Sequence, residues 1–277
     1  MKFSFTSWKA DLMKERKGML VLSFPCVQLL DITVKELLES ADMQAKGMLK
    51  VAEELPGQSA LVSMMDLSLE ADAFGSSVEI YEDEVPSVIG SIINSLEDAE
   101  ALKVPDLSEG RCQIYVEAIK KVMETNPDRP VFAGVIGPYS LAGRLMDVSE
   151  IMMQCMMDPD YVKVVLKKAT DFLKVYIKAY KDAGANGVVM AEPLAGLLSP
   201  DMLEEFSSVY IKEIVDALQS DDFAIIYHNC GPSVTSCVEE ILHSGCSAYH
   251  FGNAIDIMDI LENVDEDVLV MGNLDPV

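Results

Sequence analysis

Seven short apolar runs, at residues 19–24, 60–65, 131–136, 187–191, 223–227, 248–251 and 268–271, alternate with helical patterns. The amphipathic stretches lie at 33–54, 111–125, 159–183, 199–218, 233–243 and 256–262. This alternation constrains the fold more than any other feature. A short run without polar alternation reads as a strand buried on both faces. Strands separated by helices cannot pair as hairpins; they lie parallel, joined by right-handed crossovers. Seven such strands within 277 residues predict an α/β chain of the (β/α)8 TIM-barrel type. Residues 1–277 are expected to form one domain, with the eighth strand and last helix falling beyond Val277. A doubly wound open sheet is the competing arrangement, but no Gly-x-Gly-x-x-Gly follows an early strand.

In such a barrel, chemistry collects at the C-terminal ends of the strands. Asp66, Tyr139, Glu192, His228, Cys230, His250, Asn253, Asn273 and Asp275 all fall at those ends. The sharpest signal is His228 with Cys230. Residues two apart on a strand project to the same side, so an imidazole and a thiol leave one strand end together. That is half of a tetrahedral zinc site. The bland alternative is strand-end packing, with Cys230 a small core residue. His250, on the next strand, is open to three readings: metal ligand, substrate contact or satisfied structural histidine. Asp66 and Glu192 read either as catalytic carboxylates or as helix caps and loop ion pairs. Cys246 precedes its strand and belongs to the opposite rim, Cys237 reads as helix packing, and Cys26 follows the first run closely enough to reach the mouth. The methionines at 152, 153, 156 and 157 read as packing.

Charge and cysteine usage narrow the function. A formal net charge of −25 argues against nucleic acid, which needs neutralising cations. Only four arginines are present, Arg16, Arg111, Arg129 and Arg144, too few for a ligand carrying many carboxylates. No apolar run approaches the ~18 residues of a membrane span, and residues 1–17 have no signal-peptide core. A cytoplasmic protein with no membrane partner is expected. Six scattered cysteines then read as free thiols or ligands rather than a disulfide framework.

Several motifs together resemble a known family. They are Gly137-Pro138-Tyr139-Ser140-Leu141-Ala142-Gly143-Arg144, Asp158-Pro159, Ala183-Gly184-Ala185, Glu192-Pro193, Leu198-Ser199-Pro200, His228-Asn229-Cys230-Gly231 and Gly272-Asn273-Leu274-Asp275-Pro276. Their order and spacing resemble the uroporphyrinogen decarboxylase superfamily, over essentially the whole chain. Within it the chain looks most like the zinc-dependent methylcobamide:coenzyme M and related corrinoid methyltransferases. The resemblance implies a (β/α)8 barrel. It also implies a zinc ion held by His228, Cys230 and a cysteine beyond Val277, and a corrinoid cofactor carried by a partner protein. The implied activity moves a methyl group between that corrinoid and a thiol or a small methylated substrate. Asp66 and Glu192 would be the catalytic carboxylates, and Tyr139, Arg144, His250 and Asn273 the substrate contacts. Some members place an acidic ligand about one strand after the His-x-Cys pair; here that stretch reads Tyr249-His250-Phe251-Gly252-Asn253, with no carboxylate.

The alternative branch is decarboxylation of a tetrapyrrole, with Asp66 matching the aspartate that serves the pyrrole nitrogens. This chain departs from that branch in three places. The Arg-rich motif is replaced by Pro25-Cys26-Val27-Gln28-Leu29-Leu30, a tyrosine by Arg144 and a serine by Pro193. A third reading, from another class, is a non-catalytic binder of a corrinoid or methyl donor.

Overall fold

A computed structural model describes residues 3–15, 17–21 and 24–274. The main sheet holds six parallel strands, β1 (Leu61–Val62), β4 (Val131–Ile136), β5 (Gly187–Ala191), β6 (Ala224–Asn229), β7 (Ala248–Phe251) and β8 (Leu269–Met271), paired in that order. It curls into a half-barrel with helices outside, as an α/β barrel requires. A two-stranded antiparallel hairpin, β2 (Ser77–Glu79) with β3 (Ser87–Ile89), stands apart from it.

Burial of both faces explains the apolar runs. Every residue of β4 and β5 is buried. Alternate residues Val62, Phe132, Val189, Ile226, Ala248 and Leu269 meet on the concave face, where Trp8 and Leu12 close the N-terminal end. The intervening residues face the helices; Val188, Ile225 and Tyr227 belong to the larger core. Helix Pro159–Asp182 shows how the pattern works. Asp158 accepts the Tyr161 amide at 3.3 Å, Pro159 opens the first turn, and Val162, Val165, Leu166, Ala169, Leu173 and Ile177 form the buried face.

Three expectations change. The run at 19–24 is not a strand at its described residues; Leu22 and Ser23 lie outside them. Its neighbourhood meets β1 through the Ser59 amide, which donates to Gly18 O at 2.8 Å. The helical pattern at 33–54 breaks into Val34–Leu38 and Ala41–Glu54. Ser40 is extended there, and its hydroxyl caps Met43 N, so local capping interrupts a pattern that periodicity alone runs together. The predicted packing of methionines fails at Met153, Met156 and Met157, which are exposed.

Candidate functional site at the strand ends

The sheet register builds one row. Ala191, His228, His250 and Met271 are successive neighbours across β5, β6, β7 and β8. Each lies two residues beyond a member of the concave apolar layer, and so shares its face. The two histidines therefore stand just above an apolar floor of Ile226 and Ala248. Their Nδ1 atoms are 2.8 Å apart, and both rings are half-buried. Burial and the neighbouring His250 push His228 down to about 4, and burial lowers His250 as well, so both rings are neutral near pH 7.

Cys230 follows directly, one residue past the end of β6, and is the one exposed cysteine of the six. Asn229 sets this turn. Its side-chain amide donates to Glu192 O and Tyr227 Oη at 2.8 and 2.9 Å, and its Oδ1 accepts the Gly231 amide at 2.8 Å. The turn also presses against the segment after β5: a Cβ on Gly231 would sit 2.6 Å from Gly196 Cα, so no side chain fits there. Sequence reasoning saw Asn229 only as the middle of a motif. Its long-range bonds had no local signal.

The carboxylates are placed differently from the expectation of a shared rim. Glu192 is fully buried and serves the N-terminus of helix Pro138–Met146. Its Oε2 accepts the Tyr139 amide at 3.0 Å and Ser207 Oγ at 3.2 Å, and its Oε1 accepts the Ser140 amide at 2.6 Å. A helix N-terminus offers such unpaired N–H groups and a favourable dipole. Burial pushes the carboxyl up to about 7, against these donors. Gly137 is required here, because a Cβ would lie 2.5 Å from the Glu192 carboxyl.

Asp66 is also turned away from solvent, its side chain wholly buried. Oδ2 accepts Arg111 Nη1 at 2.5 Å and Tyr115 Oη at 2.8 Å; Oδ1 accepts Ser68 N at 3.0 Å and Ser68 Oγ at 2.6 Å. Arg111 continues to Asp72 at 3.0 Å. Four donors leave the carboxylate no acceptor capacity for a substrate. Glu70, two residues after Ser68, adds a buried acid that sequence reading passed over. Its Oε1 accepts Ile136 N at 3.0 Å, its Oε2 has no hydrogen-bond partner among the described residues, and burial pushes its carboxyl up to about 8.

The remaining expected contacts divide. Tyr139 is fully buried and receives the Cys155 thiol at 3.9 Å, within the helical layer, not at the mouth. Asn273 braces the loop after β7, donating to Ile255 O at 2.7 Å and Gly252 O at 3.2 Å. Asn253 is exposed. Arg144 is partly buried and has no ion pair or hydrogen bond among the described residues, whereas Arg111 and Arg129 are both engaged. Asp275 and Arg16 lie outside the described residues. Cys26 does not reach the mouth; it packs where a Cβ on Gly47 would come within 2.7 Å of its sulfur. Cys237 is buried, in keeping with its reading as packing, and Cys246, which precedes β7, is buried as well.

Among the described residues, no three His, Cys, Asp or Glu side chains are grouped to hold a metal ion. The donor chemistry of His228 and Cys230, imidazole and thiol, fits zinc, and supplies two of four positions. Among the described residues no helix is long and apolar enough to cross a membrane.

The comparisons agree with this architecture. The chain is 31% identical over 225 residues to a methylcobamide:CoM methyltransferase, MtbA, of Methanosarcina acetivorans, covering 76% of this chain and 63% of that protein. It is 26% identical over 230 residues to a uroporphyrinogen decarboxylase of Pseudoalteromonas atlantica, covering 78% and 63%. The chain thus spans less than two thirds of the length of either relative. A solved methyltransferase from Methanosarcina mazei superimposes with a TM-score of 0.85 at 23% identity, covering 98% of this chain and 83% of that one, which shows the fold. Residues 22–277 match the uroporphyrinogen decarboxylase (URO-D) family, and the chain belongs to it.

Proposed function

We propose that this protein is a zinc-dependent methyltransferase that moves a methyl group between a corrinoid carrier and a thiol or a small methylated substrate. The observation that carries the proposal is the pair His228 and Cys230, two residues apart at the C-terminal edge of a parallel sheet, with the thiol exposed. The relative named methylcobamide:CoM methyltransferase supports the same reading.

His228 and Cys230 would hold the ion, with a further donor from outside the described residues. When bound, zinc supplies charge that favours a thiolate over a thiol at an open coordination position. The chain's own residues do the rest. The apolar floor below the histidines keeps bulk water from that side of the site. Asn229 fixes the turn that presents Cys230. Glu192 fixes helix Pro138–Met146, whose late residue Arg144 carries a cation with no partner among the described residues. Arg144, His250 and Asn273 are the substrate contacts in this reading. Asp66, Tyr139 and Glu192 act by positioning, since their side chains are buried. The corrinoid protein docks over the strand ends.

Zinc content of the full-length protein tests the proposal. Wild type should retain about one zinc per chain. Cys230→Ala should lose it while keeping stability within about 0.5 kcal/mol, because the residue is exposed. A metal-free wild type, or a variant that keeps its zinc, overturns the reading. Tetrapyrrole decarboxylation is disfavoured by the engagement of Asp66 with four donors.

A further inference from the structure

The His228–His250 contact assigns a role that neither the motif nor the comparisons provide. Two Nδ1 atoms at 2.8 Å share one hydrogen: one ring donates and the other accepts. Nδ1 is the nitrogen next to the ring's attachment point, so the contact occupies the strand-side nitrogen of both rings. No side-chain hydrogen bond to either far-edge nitrogen, Nε2, is found among the described residues, and the main chain of His250 also lies within hydrogen-bonding reach of the His228 ring. The far-edge nitrogens are what the half-buried rings can offer to the mouth.

Only one arrangement leaves His228 able to bind a metal beside Cys230. If His250 donated, His228 would carry its hydrogen on Nε2, and its remaining lone pair would be consumed by His250. If His228 donates, its Nε2 keeps a lone pair. We infer that His250 is a positioning residue: it accepts the Nδ1–H of His228, fixes that tautomer, and aims His228 Nε2 at the metal position next to Cys230. His250 itself then carries its hydrogen on Nε2 and presents a neutral N–H donor to the mouth. The inference rests on the zinc reading above. A metal-binding imidazole usually donates its other N–H to an oxygen acceptor. Here the strand register supplies a second imidazole at the same level, since His228 and His250 are partners in the β6–β7 pairing. The contact is therefore set by the sheet, not by a flexible loop.

The test uses full-length protein labelled with nitrogen-15 at histidine. Long-range proton–nitrogen spectra of the metal-free protein should show His228 protonated on Nδ1. In His250→Phe, which removes the acceptor, that signature should be lost. Competition with a chromophoric zinc chelator should then show affinity reduced about 10- to 100-fold. His250→Asn places an amide oxygen near the position of Nδ1 and should restore most of the affinity and the His228 tautomer. Rescue by Asn but not Phe separates positioning from packing, because both variants alter the same cavity. Zinc bound by a wild type whose His228 is protonated on Nε2 overturns this inference and leaves the proposed function standing. Equal zinc affinity of wild type and His250→Phe does the same. A wild type that takes up no zinc overturns both.

Discussion

Glu70→Gln offers a sharp physical test of this interior. Glu70 is buried, gives Oε1 to the Ile136 amide and leaves Oε2 without a donor among the described residues. An ionised oxygen so placed is unfavourable, so burial raises the acid from 4.5 to about 8 and the native state holds its proton at neutral pH. In the unfolded chain the same group ionises near its ordinary value. Between pH 4.5 and 8 the native state therefore binds one proton more than the unfolded state, and stability falls as pH rises. The slope is about 1.4 kcal/mol per pH unit for one proton. Glutamine keeps the shape of the neutral acid and the bond to Ile136 but cannot ionise. The variant should match wild type near pH 4.5, exceed it by about 3 kcal/mol at pH 7, and by about 5 kcal/mol at pH 9. Urea unfolding at pH 5, 7 and 9 measures this difference directly. Glu192, also raised by burial, contributes the same slope to both proteins and cancels. A constant offset at all three pH values, or a variant less stable at pH 9, would refute the argument.

Two further perturbations follow from the buried carboxylates. Asp66→Asn leaves Arg111 buried without its closest counter-charge and should cost about 3 kcal/mol, read by chemical denaturation; an unchanged midpoint would show that Asp72 suffices for Arg111. Gly137→Ala drives a methyl group into the Glu192 carboxyl and should cost about 2–3 kcal/mol through the loss of its bonds to the Tyr139 and Ser140 amides, visible as a lowered melting temperature. A stable alanine variant would show that helix Pro138–Met146 does not depend on that carboxylate.

The strand ends were the most legible part of the chain. Continuous apolar runs located β4, β5, β6, β7 and β8 to within a residue or two, because both faces of a parallel sheet exclude water. The hairpin of β2 and β3 leaves no signal in the sequence. Its strands are short and largely exposed, with no apolar run to mark them. Helix Ala41–Glu54 was merged with its neighbour because Ser40 caps by hydrogen bonding, which leaves the apolar spacing intact.

For the site, the residues themselves predict that His228 and Cys230 leave one strand end together, since a period of two is a property of any strand; Cys230 falls one residue past β6. The residues also determined the fold class, through alternation, and the resemblance, through ordered motifs. Tertiary structure alone decided which polar residues at the strand ends face the mouth. Asp66, Glu192 and His228 look alike in sequence, each following an apolar run. Asp66 is turned into a cluster with Arg111 and Tyr115, Glu192 onto a helix N-terminus, and His228 toward His250. These partners are separated by many residues in the chain. A buried polar group goes where a hydrogen-bond partner meets it, and that meeting is fixed by packing between elements rather than by local pattern.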